Sequence, residues 1–570
     1  MLNVETVVRN RYPQLLDQRP LVGRSVVTLL RHLFRESEFR QFEADYPHLS
    51  GLDFVEQVLE YFRFDYKVSQ RELERIPTSG RVVIIANHPI GSLDGLMLLK
   101  LLSSVRRDVK VVANELLMNI RPLQPLLLPV DNINGGTARE NLETIDRFLH
   151  DDGALIIFPS GEVSRIRPTG VRDTKWHTGF LRIASRAQAP VLPMFVGGRN
   201  SSLFYGVSML CKPLSTLLLV QEMFKQAQKT VTVRIGEQIP YASYCGTQLP
   251  LVTRVQLFRR HLYRIGAGKR PVLATQSPVA RPEPRLVLRR AVQNCERLGQ
   301  TPDQKQILLY ETAGSCPLMR EIGRLREVAF RAVGEGTGRR LDMDAYDQRY
   351  QHIVLWDEND LEVVGAYRLV HAGQTVAKDI RNLYTHSLFQ YGDAMRPYLM
   401  DGLELGRSFV QPRYWGKRSL DYLWMGIGAY LSRYPARYLF GPVSISSQMP
   451  PRARDLMIEF YRLYFGFDQP LARSRNPYQN TDALDQPPAF SGQDYSADFK
   501  TLKAMLANMG SAVPTLYKQY TELCEPGGVK FLDFGIDPAF SNCIDGLVLV
   551  DLDRLKPKRR KRYLSAGESL

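Results

Sequence analysis

The sequence has few of the features that mark secreted, metal-binding or membrane-spanning proteins. Six of its 570 residues are cysteine, and no two form a Cys-x-x-Cys pair, so neither a zinc site nor a disulfide framework is predicted. The first residues lack a basic region followed by an apolar core, and no apolar run approaches the ~20 residues that span a bilayer. We therefore expect a reducing, cytoplasmic compartment and no metal.

The length predicts more than one domain, because 570 residues exceed what a single hydrophobic core usually organises. Pro and Ala displace the hydrophobic periodicity between residues 266 and 284. We predict domains over residues 1–265 and 301–570, with a linker over 266–300. Residues 468–494, rich in Pro, Asn, Asp and Gln, predict a long surface insertion.

The net charge of +16, from 75 basic and 59 acidic residues, predicts attraction to an anionic partner. No aromatic-rich RNA motif, zinc finger or helix-turn-helix pattern is present, so we do not expect nucleic acid. Residues 556–562 carry six cations in seven positions, which suits anionic lipid headgroups, an acidic carrier protein or a merely solvated tail. Residues 25–35 have helical apolar spacing, typical of a helix in the membrane interface or of one packed on the first domain.

An apolar segment over residues 84–86 ends in a loop that carries His88 and Asp94. Histidine side chains titrate near neutral pH, so an imidazole can take a proton from a hydroxyl while a carboxylate holds its other nitrogen. A substrate hydroxyl, and not a protein serine, would then be the nucleophile. The structural alternative is an Asn-His-Pro turn followed by an Asp that caps a helix, which occurs in many folds.

Two further segments favour the catalytic interpretation. An apolar run over residues 155–158 breaks at Pro159 into polar residues, and another apolar run covers residues 189–196. A helix is expected between them over residues 178–188, which gives the order strand, helix, strand. Strands ordered in this way bring their loops to one edge of a sheet, where α/β active sites form.

These motifs resemble the glycerolipid acyltransferase family related to PlsC-type enzymes, over roughly residues 50–240. Asn87-His88 with Asp94 matches its His-Asp motif, Phe158-Pro159-Ser160-Gly161 matches its Phe-Pro-Glu-Gly block, and Val191-Leu192-Pro193 matches its closing strand. The resemblance implies that His88 and Asp94 are catalytic. It also implies a set of substrate-binding residues: Asn87, Ser160, Gly161, Glu162 and Arg165.

The chain departs from that family in two places. Five residues separate His88 from Asp94 where the family has four; we expect Gly91 to absorb the extra residue, with Ser92 as helix N-cap. The family's Glu-Gly-Thr-Arg is replaced by residues 160–163, which removes the arginine that would hold a phosphate. Arg165 and Arg167 are the candidates to take its place, so a phosphate headgroup is disfavoured without being excluded.

The second half places isolated charges at the edges of apolar segments. Taken singly, each suits a structural salt bridge, but their order and spacing resemble the GNAT-like acyltransferases typified by acyl-homoserine-lactone synthases and ornithine N-acyltransferases. The resemblance implies an acceptor cleft lined by Arg326, Asp344, Asp347, Arg368, Glu404 and Arg407. Carboxylates and guanidiniums together can hold the ammonium and carboxylate of an amino acid. Glu404 is the candidate to deprotonate the attacking amine, directly or through water.

The donor is less well marked than the acceptor. The GNAT pyrophosphate loop Arg/Gln-x-x-Gly-x-Gly/Ala is matched in part by residues 413–418. Arg418 at the last small position favours acyl carrier protein over coenzyme A. No cofactor beyond the acyl donor is expected.

As a whole, the chain resembles bifunctional ornithine lipid synthases, sometimes labelled hemolysin-like. The resemblance implies an α/β, mixed-sheet acyltransferase domain followed by an α+β GNAT-like domain. It implies N-acylation of ornithine by a 3-hydroxyacyl donor, then O-acylation of the lyso-lipid hydroxyl, on the inner face of a bacterial cytoplasmic membrane. Two alternatives remain open: a lysophospholipid acyltransferase with a non-catalytic GNAT-like domain, and a membrane-lysing protein, although no pore-forming segment is visible.

Overall fold

The computed structural model consists of two compact units, Met1–Pro278 and Val279–Leu570. It describes residues 20–33, 35–113, 115–130, 139–168, 170–210, 218–246, 248–311, 314, 316–467, 469–480 and 489–564. Cys211 lies outside the described residues. The chain passes from one unit to the other after Pro278. The range 266–300, where a linker was expected, contains a helix and a strand of unit 2. Pro284 is the N-cap of that helix, so prolines that suggested a linker in fact precede a helix start.

Unit 1 is built on a mixed sheet. Its strands are β1 (Asp65–Lys67), β2 (Val82–Ala86), β3 (Val109–Ala113), β4 (Leu127–Pro129), β5 (Ala154–Ile157), β6 (Arg165–Arg167), β7 (Gly170–Arg172), β8 (Val191–Val196) and β9 (Thr230–Ile235). Seven of them form one sheet in the order β1-β9-β8-β2-β5-β3-β4, and β6 and β7 form a separate hairpin. Strands β8, β2, β5, β3 and β4 run parallel, whereas β9 is antiparallel to β8. The loops after β2, β5 and β8 therefore meet at one edge.

Helices cover both faces of this sheet. They are α1 (Pro20–Leu33), α2 (Glu36–Asp45), α3 (Gly51–Tyr61), α4 (Gln70–Leu73), α5 (Ser92–Ser103), α6 (Glu115–Met118), α7 (Arg139–His150), α8 (Gly179–Arg186), α9 (Ser202–Leu210), α10 (Leu219–Lys225) and α11 (Leu251–Gly266). On one face Ile84 packs in a core with Met97 of α5. On the other, Val83 packs in a core with Phe180 of α8 and Phe258 of α11. Burial on both faces explains the continuous apolar runs of β2 and β5.

The predicted amphipathic segment over residues 25–35 forms most of α1. Val27 is 4% exposed and packs inward, whereas Leu29 is 67% exposed. Residue 34 lies outside the described part of the chain. In that described part, no helix is both long and apolar enough to cross a membrane.

Unit 2 is a second, separate mixed sheet. Its strands are β10 (Glu296–Gln300), β11 (Gln306–Glu311), β12 (Gln351–Asp357), β13 (Glu362–His371), β14 (Phe389–Tyr391), β15 (Gly402–Val410), β16 (Tyr438–Ile445), β17 (Ala472–Ser474), β18 (Val529–Asp537) and β19 (Cys543–Asp551). Eight form the order β10-β11-β12-β13-β15-β16-β19-β18. Strands β15 and β16 pair in parallel over Gly402–Glu404, while the other neighbours are antiparallel.

Helices again cover both faces. They are α12 (Arg285–Val292), α13 (Pro317–Ala332), α14 (Ala372–Lys378), α15 (Tyr384–Leu388), α16 (Arg396–Met400), α17 (Ser419–Arg433), α18 (Pro451–Phe465), α19 (Tyr495–Asn508), α20 (Thr515–Thr521) and α21 (Pro557–Tyr563). Ile322 of α13 packs in a core with Trp356, and Ile427 of α17 and Met457 of α18 fill the opposite core with Ile353. The predicted fold class, a mixed α/β unit followed by an α+β unit, is confirmed.

Part of the segment over residues 468–494, expected to be a surface insertion, packs into unit 2. Strand β17 pairs with β14, and Tyr478 is buried and donates a hydrogen bond of 2.9 Å to Asp455. Residues 468 and 481–488 lie outside the described residues. The turn-rich composition concealed a strand that completes a small sheet.

The basic segment over residues 556–562 is not a solvated tail. It forms α21, whose Tyr563 is buried and donates to Asp421 of α17 at 3.0 Å. Arg562 pairs with the same carboxylate, and Arg559 lies 3.4 Å from Glu522. Part of this charge therefore holds the last helix on unit 2.

Candidate active sites

Strand β2 ends where the side chain of Asn87 clamps the neighbouring strand. Its Nδ2 donates to the carbonyl oxygen of Val196 at 2.8 Å, and its Oδ1 accepts from the N–H of Val196 at 2.7 Å. Because both amide groups are used, Asn87 fixes the end of β2 against β8. The loop that begins at His88 therefore starts from a rigid edge, and Asn87 supports that loop.

His88 and Asp94 are in direct contact. Nδ1 of His88 lies 3.1 Å from Oδ2 of Asp94, and the side chains are 18% and 0% exposed, respectively. The imidazole also packs on the ring of Phe158, with centroids 4.2 Å apart. With Nδ1 held by a carboxylate, Nε2 is the ring nitrogen that a substrate hydroxyl can reach.

The extra residue in the loop is absorbed as expected, but the helix cap differs from the prediction. Gly91 has φ of 120°, which only glycine adopts readily, and it is the N-cap in place of Ser92. Oδ2 of Asp94 accepts from the N–H groups of Ile90 and Gly91 at 2.9 and 3.1 Å. Asp94 satisfies these N–H groups from the third helical position, so Ser92 is not needed as a cap.

Asp173, which no sequence motif indicates, holds the other side of the same loop. Its fully buried carboxylate accepts from the backbone N–H of His88 at 3.1 Å, from Ser164 Oγ at 2.5 Å and from Trp176 Nε1 at 2.8 Å. Asp173 lies between two cations in the sequence and there looks like an ordinary surface charge. The structure makes it a positioning residue for His88.

The second predicted block forms a turn beside the histidine. Ser160 donates from Oγ to the carbonyl oxygen of Glu162 at 2.7 Å, and Gly161 has φ of 64°. Arg165 donates to Ser208 Oγ at 2.6 Å and lies 3.7 Å from Glu162. The candidate to replace the missing phosphate-binding arginine is thus already engaged by protein groups, whereas Arg167 is exposed on β6.

In unit 2, four of the predicted acceptor residues form a buried network of charges. Arg326 of α13 lies 2.8 Å from Oδ1 of Asp347, and Arg368 of β13 lies 3.1 Å from the same oxygen and 2.7 Å from Asp344. Burial alone would raise the pKa of Asp347, but the charges of Arg326 and Arg368 and a hydrogen bond from His352 hold it well below its usual range. Burial lowers the pKa of His352 to about 4.

Arg407 extends this network from strand β15. Its Nε lies 3.3 Å from Asp342, its Nη2 lies 3.8 Å from Asp344, and its Nη1 donates to the hydroxyl of Tyr384 at 3.2 Å. Its φ of 49° is in the left-handed region, an uncommon and strained conformation for arginine. A strained backbone of this kind persists where the contacts of the side chain hold the residue in place.

Glu404 is buried on the same strand, and both of its oxygens are bonded. Oε1 accepts from the backbone N–H of Thr385 at 2.6 Å, and Oε2 accepts from the hydroxyl of Tyr350. Burial raises the pKa of Glu404. Because Tyr350 also accepts from the N–H of Tyr384 at 2.8 Å, Glu404 joins the network through two tyrosines that the sequence did not single out.

A second group of buried carboxylates lies near Arg407 and was not predicted. Asp537 accepts from the hydroxyl of Tyr384 at 3.0 Å, and Glu335 accepts from Ser444 Oγ at 2.8 Å. Burial raises the pKa of Asp545 well above its usual range, and the charges of Asp537 and Glu335 raise it further. Glu335 lies far from Asp537 and Asp545 in the sequence, so no local motif could have joined the three.

Glu335 gives a test of this group that does not depend on activity. Burial raises its pKa from 4.5 to about 7, so the folded protein binds this proton more tightly than the unfolded chain. The free energy of unfolding should therefore fall as pH rises from 4.5 to about 7, by on the order of 3 kcal/mol from this group.

Denaturant unfolding of Glu335→Gln at about pH 5 and about pH 8 should lose that part of the pH dependence, since the amide does not titrate. Glu525→Gln, at an exposed position, is the matched control and should keep it. An unchanged pH dependence in Glu335→Gln would contradict the assignment.

The predicted residues thus converge on two separate sites. His88, Asp94, Asn87 and residues 160–165 surround one loop cluster of unit 1, and the acceptor residues form one connected network in unit 2. In the segment over residues 413–418, which partly matches the GNAT pyrophosphate loop, Arg413 is paired with protein carboxylates and lies 2.8 Å from both Asp360 and Glu362. Within the described residues, no group of three or more His, Cys, Asp or Glu side chains is placed to hold a metal.

Comparison with known proteins identifies the two units by family. Residues 7–267 match the family described as acyltransferase, and residues 325–425 match the acetyltransferase (GNAT) domain. The protein is therefore an enzyme of the acyltransferase kind.

Three relatives are similar to parts of the chain. A lyso-glycine lipid O-acyltransferase of Bacteroides thetaiotaomicron is 32% identical over 44% of this chain and 92% of its own length. A glycine N(alpha)-acyltransferase of the same organism is 29% identical over 50% of this chain and 89% of its own length. An L-ornithine N(alpha)-acyltransferase of Rhizobium meliloti is 32% identical over 22% of this chain and 44% of its own length.

Proposed function

The chain belongs to the acyltransferase family, and from this premise we propose that it makes an amino-acid lipid by two successive acyl transfers. Unit 2 joins a 3-hydroxyacyl chain to the α-amine of ornithine, and unit 1 attaches a second chain to the hydroxyl of that amide. The observation that carries the proposal is the His88–Asp94 pair, at 3.1 Å, in one chain with a buried guanidinium–carboxylate network in a GNAT unit.

The ester step needs a base that takes the proton of the attacking alcohol. The hydroxyl oxygen of the mono-acylated amide attacks the thioester carbonyl of the donor while Nε2 of His88 takes its proton. Asp94, bonded to Nδ1, stabilises the imidazolium that forms. Collapse of the tetrahedral intermediate breaks the carbon–sulfur bond, and the proton on His88 passes to the leaving thiolate.

An apolar wall beside the histidine loop supports a lipid acceptor. Val163 packs with Phe204 and Tyr205 of α9, and its side chain lies next to Gly91. On the outer side of α9, Leu203 and Met209 are 62% and 73% exposed. The exposed side chains of α9 offer an acyl chain apolar surface to bury.

The contacts of Arg165 support an acceptor without a phosphate. Its guanidinium is bonded to Ser208 and lies near Glu162, so a phosphate would have to displace groups of the protein. An amino-acid headgroup makes no such demand. Arg165 therefore gives no support to the lysophospholipid alternative.

The amide step needs a neutral amine and a held carboxylate. Glu404, with Tyr350 between it and the network, is the proposed base, and its proton path runs through that hydroxyl. The Nη2 atoms of Arg326 and Arg368 are buried without a hydrogen-bond partner among the described residues. Buried donors of this kind suit the carboxylate of an amino acid.

The proposed acceptor is ornithine, since it brings a second ammonium group. Asp537, Asp545 and Glu335 are buried near Arg407, and an ammonium group would offset the repulsion among their charges. Glycine is the second candidate, because the glycine N(alpha)-acyltransferase is similar over 50% of this chain. The proposed donor is an acyl carrier protein for both steps.

Lipid analysis tests this function. The full chain is expressed in a bacterial host without aminolipids, and the extracted lipids are identified by mass spectrometry. We expect mono- and di-acylated ornithine. Glycine amides in their place would support the second candidate, and esterification of added lysophosphatidic acid without any new amide would overturn the proposal in favour of a lysophospholipid acyltransferase.

A further inference from the structure

Two adjoining cavities on unit 1, here together called the cationic cleft, are lined mainly by arginine and lysine. The first, of about 330 Å³, is lined by Arg172, Arg259, Arg260, Arg264 and Lys269 among others. The second, of about 440 Å³, shares Arg172 and Arg259 and adds Arg167 and Lys175. Among these cations, the sequence motifs singled out Arg167.

The charge of the cationic cleft is not neutralised within the described residues. None of its cations lies within ion-pair distance of a described carboxylate. Asp173 is its acidic lining residue, and the carboxylate of Asp173 is buried and bonded to His88, Ser164 and Trp176. A concave surface with unpaired charge of one sign focuses its potential on a ligand of the opposite sign.

Two guanidinium groups in the cationic cleft are held in place before any ligand binds. Those of Arg172 and Arg259 lie over the ring of Tyr263 at 5.1 and 5.4 Å, and Arg259 also donates to the carbonyl oxygen of Asp173 at 2.7 Å. The Nε of Arg259 is buried and has no hydrogen-bond partner among the described residues. Fixed guanidinium forks match the oxygens of a phosphate.

The cationic cleft reaches the histidine loop through a single residue. Tyr263 accepts from the backbone N–H of Asp173 at 2.7 Å, and Arg259 binds its carbonyl oxygen. The side chain of the same residue holds the N–H of His88. An anion bound in the cationic cleft is therefore anchored beside the loop where the acyl thioester must react.

We propose that the cationic cleft binds the phosphate of the phosphopantetheine arm of the acyl donor, an inference that rests on the proposed ester transfer. Coenzyme A and acyl carrier protein share this chemistry. The recessed position of Arg172 and Arg259 suits a phosphate on a narrow arm better than the flat array of headgroups on a membrane. The proposed acceptor carries no phosphate, so the phosphate bound in the cationic cleft comes from the donor.

The test compares donors with and without the phosphate. Ester formation is measured on the full chain with S-acyl phosphopantetheine and with S-acyl pantetheine, for the wild type and for Arg260→Gln combined with Lys269→Gln. Both positions are exposed, so the fold should tolerate these changes. KM for the phosphorylated donor should rise about tenfold with kcat unchanged, since charge-assisted bonds are lost. KM for S-acyl pantetheine should stay the same.

The matched control is Arg71→Gln combined with Arg107→Gln, two exposed cations elsewhere on unit 1, which should leave both KM values unchanged. Parallel assays use acyl-coenzyme A and acylated acyl carrier protein as donors. The donor whose KM rises more in the double variant is the source of the phosphate. An equal rise for both small donors, no rise for either, or lost binding to anionic vesicles without a change in KM would overturn the proposal.

Hydrogen exchange separates this inference from the proposed function. Phosphopantetheine should protect backbone N–H groups over residues 172–175 and 256–269 in the wild type and less so in the double variant. Protection without any ester transfer would refute the function and retain the site. Ester transfer without protection would refute the site alone.

Discussion

His88→Ala is expected to abolish ester formation while amide formation continues, so the mono-acylated amide accumulates. The alcohol nucleophile needs Nε2 to take its proton, and general-base catalysis of this kind contributes about 10²- to 10⁴-fold. The proposed amide step belongs to unit 2, and His88 lies in unit 1. Separate assays of the two transfers, with mass spectrometry of the lipids, measure the loss.

Two further variants make this prediction specific. His48→Ala removes an exposed histidine of unit 1 and should leave both steps unchanged. Asp94→Asn should also slow the ester step, because Asp94 holds Nδ1 of His88. If His88→Ala produces the di-acylated lipid at the original rate, the assignment of unit 1 is wrong.

Glu404→Gln is expected to block the amide step by about 10²-fold or more, because the amide side chain cannot take a proton from Tyr350 or the amine. The substitution preserves size, and the new carbonyl oxygen can still accept from the N–H of Thr385, which now binds Oε1 at 2.6 Å. Product from free amino acid should disappear. Amide formation is followed with purified protein, acyl carrier protein donor and labelled ornithine.

Feeding purified mono-acylated amide to Glu404→Gln should restore synthesis of the di-acylated lipid, since His88 is intact. Glu525→Gln, at an exposed position of unit 2, is the control and should keep the amide step. Loss of both steps with the fold retained would argue against two separable sites.

The parts of the site that could be predicted are those whose signal is local in the sequence. His88 and Asp94 are six residues apart and follow an apolar strand, so their contact follows from a tight loop and one helical turn. Strands β2, β5 and β8 are short apolar runs that a parallel sheet buries on both faces. Their order along the chain is enough to predict that their loops lie at one edge of the sheet.

The parts that could not be predicted depend on contacts between distant segments. Asp173 reaches the N–H of His88 across 85 positions, and Tyr350 reaches Glu404 across 54. Composition was a poor guide at the last helix. The basic residues of α21 do not indicate that Tyr563 is buried, yet this burial fixes the helix to unit 2. Local charge density does not reveal which side chain faces the core.

The division of the chain after Pro278 has a consequence for how the two activities are supplied. Relatives named for O-acyl and N-acyl transfer each match about half of this chain and nearly all of their own length. Here both units lie in one polypeptide chain, so they are made in a one-to-one ratio. Differences in expression therefore cannot leave one unit in excess of the other.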